Sequence, residues 1–327
     1  MNNLKKVGLT ALAGSLAMMT VAQSEIVVSG SGEVTYTTSE GANGVTGNPT
    51  GMSQTLSFTG NGELDNGFTY SFFTGMAGQD MTADSSSFTL DMGDAGSVGI
   101  DQGVGLYGIG TIALTLPTAY EEADHGVGVL ADGLDVVGDQ QQLGYIGTFG
   151  ALKVNVEYDP SLDGTAQQAG GNGSAGGAGT NLNYALSYTI DDNWSVMYGA
   201  SNTNYTLAGA TDDTEWTSTV KYTMGAITAA YQLSDIQSGT DGTSGESVEA
   251  MGVAFNVNDN LSVSLGQQDN TLDVASGADV TEESTGVQAA YTMGSASVRL
   301  ALNSADNVGG VAGIESENME ISLKLSF

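Results

Sequence analysis

The chain has 327 residues, of which 38 are acidic, six are basic and none is cysteine. A net charge of −32 excludes a surface suited to nucleic acid and favours contact with cations, and the lack of cysteine excludes disulfides and thiol chemistry. An apolar content of 40% argues against a disordered acidic chain.

The first predicted element is a secretory signal at residues 1–22. Lys5 and Lys6 precede an apolar run that ends at Ala22 and is short for a membrane-spanning helix. An uncleaved N-terminal anchor helix is the alternative interpretation. Removing residues 1–22 leaves four basic residues against 38 acidic ones, a net charge of 4 − 38 = −34.

Residues 23–327 are predicted to form one all-β domain. Apolar side chains recur at every second position, which is typical of strands with one apolar face and one polar face. The sequence predicts about sixteen strands, an even number as in bacterial outer-membrane barrels. They lie at 26–36, 56–58, 68–76, 88–92, 98–100, 143–145, 152–158, 182–190, 194–200, 216–222, 227–233, 251–257, 261–265, 287–293, 298–302 and 317–327.

The connections between these strands alternate in length. Short turns are predicted at 65–67, 94–96, 149–150, 191–193, 225, 258–260 and 294. Long polar loops are predicted at 39–51, 77–85, 101–139, 159–179, 203–213, 234–246, 267–282 and 304–316. This alternation indicates a transmembrane antiparallel β-barrel, with aromatic residues near the strand ends as two interfacial girdles. The alternative is a soluble β-sandwich in which the same apolar residues form the core.

Several short segments carry a resemblance to known proteins. They are EIVVSGSGEVTYT at 25–37, GNGELDNGFTYSF at 60–72, YTMG at 222–225 and at 291–294, and LKLSF at 323–327. With them the sequence resembles the Gram-negative general-diffusion porins, specifically their alphaproteobacterial (Rhodobacter-like) branch. The resemblance implies a homotrimer in the outer membrane, surrounded by its lipid, and a long third loop folded into the pore. It also implies that the terminal Phe327 is the signal that the barrel-assembly machinery recognises.

The predicted loop at 101–139 follows the fifth strand, in the place of that third loop. In many relatives, carboxylates on this loop face a basic cluster on the barrel wall and set a field across the constriction. The candidates for these acids are Glu121, Glu122, Asp124, Asp132, Asp135 and Asp139. The alternatives are an acidic loop outside the cell and, for each acid, an ordinary solvated side chain.

Strand alternation predicts the wall charges. Charge on the lipid face costs about 2–4 kcal/mol near the midplane, so charged strand residues are expected to face the lumen. The basic residues placed there are Lys153, Lys221, Arg299 and Lys324, and the acids are Glu33, Asp91, Glu157, Glu215 and Glu320. Because the acids predominate, we expect passage of small hydrophilic solutes and ions with a preference for cations.

Catalysis and cofactors find little support. The single histidine, His125, lies in a polar loop without a local partner pattern for nucleophilic catalysis. The acid pairs Asp212-Asp213 and Glu282-Glu283 are candidates for Ca²⁺, with solvated loop acids as the alternative. We therefore expect a channel without enzymatic activity or cofactor. Two alternatives stay open, a substrate-selective channel of the same fold and a secreted acidic adhesin or surface protein.

Overall fold

A computed structural model describes residues 26–42, 47–78, 80–128, 130, 134, 141–162, 179–206, 212–237, 245–273 and 278–327. The predicted signal segment at 1–22 and the loop acids Asp132, Asp135 and Asp139 lie outside these residues. Within the described part, no helix is long and apolar enough to span a membrane.

The described residues contain sixteen β-strands that form one closed antiparallel sheet. In chain order they are β1 (Ile26–Gly41), β2 (Thr50–Glu63), β3 (Thr69–Ala77), β4 (Thr82–Asp91), β5 (Ser97–Gln102), β6 (Gln142–Phe149), β7 (Leu152–Asp159), β8 (Gly179–Thr189), β9 (Trp194–Tyr205), β10 (Asp213–Met224), β11 (Ile227–Gln237), β12 (Gly245–Asn256), β13 (Leu261–Asp273), β14 (Val280–Met293), β15 (Ala296–Asp306) and β16 (Glu315–Ser326).

The barrel closes where the first strand meets the last. β1 pairs with β2 on one side and with β16 on the other, from Ser31 opposite Ser326 to Gly41 opposite Ser316. Gly30 and Phe327 extend this pairing by two backbone hydrogen bonds of 3.0 and 3.1 Å. Since each remaining strand pairs with its neighbours in sequence, no strand of the sheet is left with a free edge.

Side chains alternate between the two faces of this barrel. On β8, Leu182 and Tyr184 are exposed on the outside, whereas Asn181 and Asn183 are buried on the inside. On β16, Ile321 and Leu323 are exposed and Glu320 and Ser322 are buried. The apolar face therefore points outwards and the polar face inwards, which is the reverse of a soluble sandwich and suits a barrel surrounded by lipid.

The predicted barrel is confirmed, with longer strands than the sequence indicated. Each of the sixteen predicted strands corresponds to an observed one, and the short turns lie where they were predicted. The predicted loops at 267–282 and 304–316 were too long, because β13 continues to Asp273 and β15 continues to Asp306. These strand ends carry polar residues on both faces, so the period-two signal fades although the backbone pairing continues.

The register of the strands aligns a row of acids on the outer face. Asp306 on β15 lies opposite Glu315 on β16 and opposite Glu283 on β14. Glu283 in turn lies opposite Asp269 on β13, and Asp269 lies opposite Glu249 on β12. Like charges directly opposite each other destabilise a sheet, so this row costs stability in the half of the barrel next to the long loops.

Replacing Glu283 in the middle of this row should stabilise the barrel. The Glu283→Gln variant removes a charge that faces two others, so we expect the free energy of unfolding to rise by about 0.2–1 kcal/mol at low salt. Urea unfolding in lipid vesicles would measure it, and added salt should shrink the gain. The control is Glu63→Gln, because Glu63 lies opposite Thr69 and not opposite an acid. An unchanged or lower stability of Glu283→Gln would contradict the expectation.

Candidate functional site

The segment between β5 and β6 is described over residues 103–128. A carboxylate of β5 fixes its first turn. Asp101, at the end of β5, is fully buried. Its Oδ1 accepts a hydrogen bond from the Val104 N–H (2.8 Å) and its Oδ2 accepts one from the Leu106 N–H (2.6 Å). Backbone donors away from water need partners, so Asp101 sets the direction in which the segment leaves the strand.

Tyr107 then packs against the barrel wall at two glycines. A Cβ atom on Gly144 of β6 would overlap the Tyr107 ring, and one on Gly99 of β5 would overlap its hydroxyl. The ring is almost fully buried, and this burial raises the pKa of the Tyr107 phenol above its ordinary value. Gly99 and Gly144 therefore leave the space that the Tyr107 side chain occupies.

Amide side chains of the inner wall bind the backbone of the next residues. Asn155 Oδ1 on β7 accepts from the Gly108 N–H (2.9 Å), and Asn183 Oδ1 on β8 accepts from the Ile109 N–H (2.7 Å). The Asn183 amide in turn donates to Glu157 Oε1 (2.9 Å), which holds its orientation. Because Ile109 is fully buried, these hydrogen bonds satisfy backbone N–H groups that water does not reach.

Further along, the segment meets strands on the next part of the barrel. The Thr115 N–H donates to Gln232 Oε1 on β11 (3.0 Å), and the Ala119 N–H donates to Ser264 Oγ on β13 (2.8 Å). Asn303 on β15 donates through Nδ2 to the carbonyl oxygen of His125 (2.9 Å). The wall residues in these bonds all belong to the buried, polar face of their strands.

Tyr120 connects the segment to the place where the barrel closes. Its hydroxyl donates to Glu320 on β16 and, at 3.3 Å, to Glu33 on β1. Burial and then the Glu320 hydrogen bond raise the pKa of the Tyr120 phenol, so the group stays protonated and acts as a donor. Arg299 on β15 places its guanidinium carbon 4.2 Å from the centre of the Tyr120 ring.

Arg299 is also the partner of a wall carboxylate. Its Nη2 forms an ion pair with Glu33 and donates to Ser322 Oγ (2.8 Å), while the Ser322 hydroxyl donates to Glu33 Oε1 (2.6 Å). Both charged side chains are largely shielded from solvent. The positive charge of the only arginine in the sequence is therefore offset by an adjacent negative one.

The three described loop acids take different positions. The Glu121 carboxylate lies 3.7 Å from His125 Nδ1. Glu122 accepts a hydrogen bond from Asn303 through its backbone oxygen (3.1 Å). Asp124 is only 7% exposed and accepts a hydrogen bond from Gln268 Nε2 (3.1 Å), so this carboxylate holds the segment against the wall.

The four predicted wall bases lie towards the short-turn ends of their strands. Lys153 is the second residue of β7, Lys324 is the third from the end of β16, and Lys221 and Arg299 are each the fourth from such an end. Among the described residues, ion pairs within 4.0 Å involve Arg299 and His125 and none of these lysines. The four bases are therefore spread over four strands, β7, β10, β15 and β16, near one end of the barrel.

The acid pairs proposed for Ca²⁺ do not form joint sites of their own. Glu282 is buried on the inner face, where its Oε2 accepts from the Gly309 N–H (2.6 Å), whereas Glu283 is exposed on the outer face. Neighbouring strand residues point to opposite faces, so these two carboxylates cannot reach one ion. Asp212 and Asp213 instead accept hydrogen bonds from the backbone and the hydroxyl of Tyr205.

Sequence reasoning missed Tyr120 and Gln232 and the other wall amides. Each lies on the polar face of a strand or within the loop, where its residue type alone carries no functional signal. Their contacts join positions far apart in the sequence, from Tyr120 to Glu320 and from Thr115 to Gln232. The alternation of polar residues along the strands was the available signal. It predicted which side chains face the lumen, but not which loop residues they contact.

The family model for the Gram-negative porins matches residues 8–324. The chain belongs to this family. It is an outer-membrane porin whose fold and family point to a channel and not to an enzyme. Comparison with curated protein sequences gave no match.

Solved porins share the fold of this one at low sequence identity. A Salmonella typhi OmpF in complex with daunomycin aligns with a TM-score of 0.68 and 10% identity, covering 94% of this chain and 100% of that one. An anion-selective porin from Comamonas acidovorans gives 0.64 and 16%, covering 93% and 100%. OmpT of Vibrio cholerae, folded in vitro, gives 0.64 and 13%, covering 92% and 97%. At these identities the likeness establishes the barrel architecture alone.

A side chain at position 144 should displace the segment from the wall. In the Gly144→Val variant the new methyl groups overlap the Tyr107 ring, and such overpacking costs about 1–3 kcal/mol. The displaced segment should then be populated about 5- to 150-fold more often. Chymotrypsin is too large to enter the barrel, so it can cleave near Tyr107 only while the segment is outside the lumen. It should therefore cleave the variant there faster than the parent.

The matched control is Gly32→Val on β1, because a Cβ atom there meets nothing within 4 Å. It should be cleaved at the rate of the parent protein. If Gly144→Val were as resistant as the control while remaining folded, Tyr107 would not hold the segment in place.

Proposed function

We propose that this porin is a general-diffusion channel with a preference for cations, in which residues 103–128 cross the lumen and narrow the pore. The support is the chain of contacts described above. Between Gly108 and His125 the segment makes hydrogen bonds to inward side chains of β7, β8, β11, β13, β15 and β16. An external loop would have no access to that face.

The proposed cation preference rests on the charges where the segment meets the wall. Arg299 is paired with Glu33, so its charge does not attract anions as a free guanidinium would. Glu121 and Glu320 flank the single histidine without a lysine or arginine within ion-pair distance among the described residues. Acidic groups at a constriction attract cations and repel anions. This local excess of carboxylates is the observation that carries the proposal.

The remaining parts of the proposal concern assembly and origin. We infer a homotrimer, as in the trimer form of the Vibrio cholerae OmpT, and membership of the alphaproteobacterial branch that the sequence resembles. Phe327 follows β16 directly and is 78% exposed, and we infer that it forms the signal for the barrel-assembly machinery. Residues 1–22 would direct export and be removed.

The transported species are small hydrophilic solutes and ions that move down their gradients. The contacts described above assign no residue to a particular solute. A substrate-selective channel would instead give a conductance that saturates and is blocked competitively. Family membership leaves the alternative of a secreted adhesin without support.

The charge at position 121 should set the selectivity. In a planar bilayer under a KCl gradient, we expect the reversal potential of the parent protein to favour K⁺. Two unit charges 4 Å apart in water interact by about 1 kcal/mol, so changing the charge at one position from −1 to +1 alters the energy of an adjacent K⁺ ion by about 2 kcal/mol, a factor of about 30, and alters that of Cl⁻ in the opposite sense. The Glu121→Lys variant should therefore lower the ratio of K⁺ to Cl⁻ permeability by at least about 30-fold.

The matched control is Glu283→Lys, the same substitution on the outer face of the barrel. It should leave the reversal potential where it is in the parent, because the charge lies outside the lumen. A reversal potential of the parent protein that favours Cl⁻ would overturn the cation preference. An equal shift in both variants would mean that position 121 does not face the ion path.

A further inference from the structure

Three side chains with metal-binding groups converge where the segment meets β16. They are Glu121 and His125 on the segment and Glu320 on the strand, and one potential ligand atom from each lies within 4.8 Å of the other two. His125 Nδ1 is 3.7 Å from Glu121 Oε2, and His125 Nε2 is 3.8 Å from Glu320 Oε2. This is the one histidine of the sequence, and it lies between two carboxylates.

The surroundings hold the Glu320 side chain and the backbone of His125 in place. Glu320 receives hydrogen bonds from the Tyr120 hydroxyl and from Thr37 Oγ1 (3.0 Å), and its side chain is 12% exposed. The backbone oxygen of His125 accepts from Asn303 on β15 (2.9 Å). Hydrogen bonds to a ligand side chain, such as those to the Glu320 carboxylate, orient the ligands of metal sites and contribute to their affinity.

The other side of the cluster is open and adjustable. The side chains of His125 and Glu121 are 41% and 30% exposed. Both can therefore rotate towards a shared ion, and an ion can reach them from solvent. Zinc sites place nitrogen and oxygen ligands about 2.0–2.2 Å from the metal, so a modest approach of the two exposed side chains would complete three bonds.

We propose that Glu121, His125 and Glu320 bind a divalent transition-metal ion of the Zn²⁺ type. An imidazole with two carboxylates is a ligand set that suits Zn²⁺, while Mg²⁺ and Ca²⁺ prefer oxygen ligands alone. The protein supplies three ligands and water supplies the fourth. This site joins the segment to the wall, unlike the acid pairs at 212–213 and 282–283.

Binding has a consequence for the channel, which rests on the proposed function. The metal adds two positive charges beside the carboxylates that would attract K⁺. It also ties the segment to β16 through Glu320. The added positive charge opposes cation passage, so micromolar Zn²⁺ should reduce the K⁺ conductance of the open channel.

Calorimetric titration of the folded full chain in detergent with ZnCl₂ alone tests the site without requiring a pore. We expect saturable binding of one Zn²⁺ per chain and no comparable binding of MgCl₂. The His125→Ala variant should bind Zn²⁺ at least about tenfold more weakly. The control Glu283→Gln removes an acid from the outer face and should bind like the parent.

Equal Zn²⁺ affinity in the parent and in His125→Ala, or no saturable binding in the parent, would overturn the site. His125 is exposed, so its replacement should not prevent folding, and circular dichroism would verify the barrel. Glu320→Gln provides a second test, because it removes the negative charge of the Glu320 carboxylate and keeps an oxygen that accepts from Tyr120. It should also weaken Zn²⁺ binding. Bilayer recordings with ZnCl₂ then separate the two proposals. Binding without channels would contradict the porin mechanism, whereas channels without binding would contradict the metal site.

Discussion

Everything in this molecule depends on the pairing of its last strand with its first. A strand in hydrocarbon has no water to satisfy its backbone N–H and C=O groups, so an open sheet edge is excluded there. The pairing of β1 with β16 removes both edges at once, and Phe327 extends it by a reciprocal pair of hydrogen bonds with Gly30. Only a closed sheet encloses a lumen, and the polar side chains of each strand point into it.

The interior face accommodates the segment mainly through neutral side chains. Asn155, Asn183, Gln232, Gln268 and Asn303 each bond to it, and each stands on a different strand. An amide offers both donors and an acceptor, so it can satisfy an irregular backbone without burying an unpaired charge. Charged groups enter this set where partners are present, as in the cluster of Arg299, Glu33, Ser322 and Tyr120. The position of the segment thus depends on many modest contacts spread around the wall.

The sequence predicted the strands well because their signal is local. Alternation within eight to ten residues identifies a strand and its outer face, without any knowledge of its neighbours. The register between strands is not local, and the row from Glu315 to Glu249 appears only when five strands are aligned. The cluster at Tyr120 escaped prediction for the same reason. Asp124 is a further example, since its residue type suggested a pore charge but could not show that its carboxylate accepts a hydrogen bond from Gln268 on β13.

Acidic and basic residues lie towards different ends of the barrel axis. The lysines stand near the short turns, while the outer acidic row stands nearer the long loops. Repulsion within that row is tolerable at the strand ends, where water and salt screen it, and would be costly in hydrocarbon. In the proposed channel, a cation arriving from the long-loop end meets carboxylates before it passes the segment and lysines only afterwards. Carboxylates inside the lumen, such as Glu121 and Glu320, would therefore attract cations, whereas those of the outer row lie outside the ion path and affect the stability of the sheet.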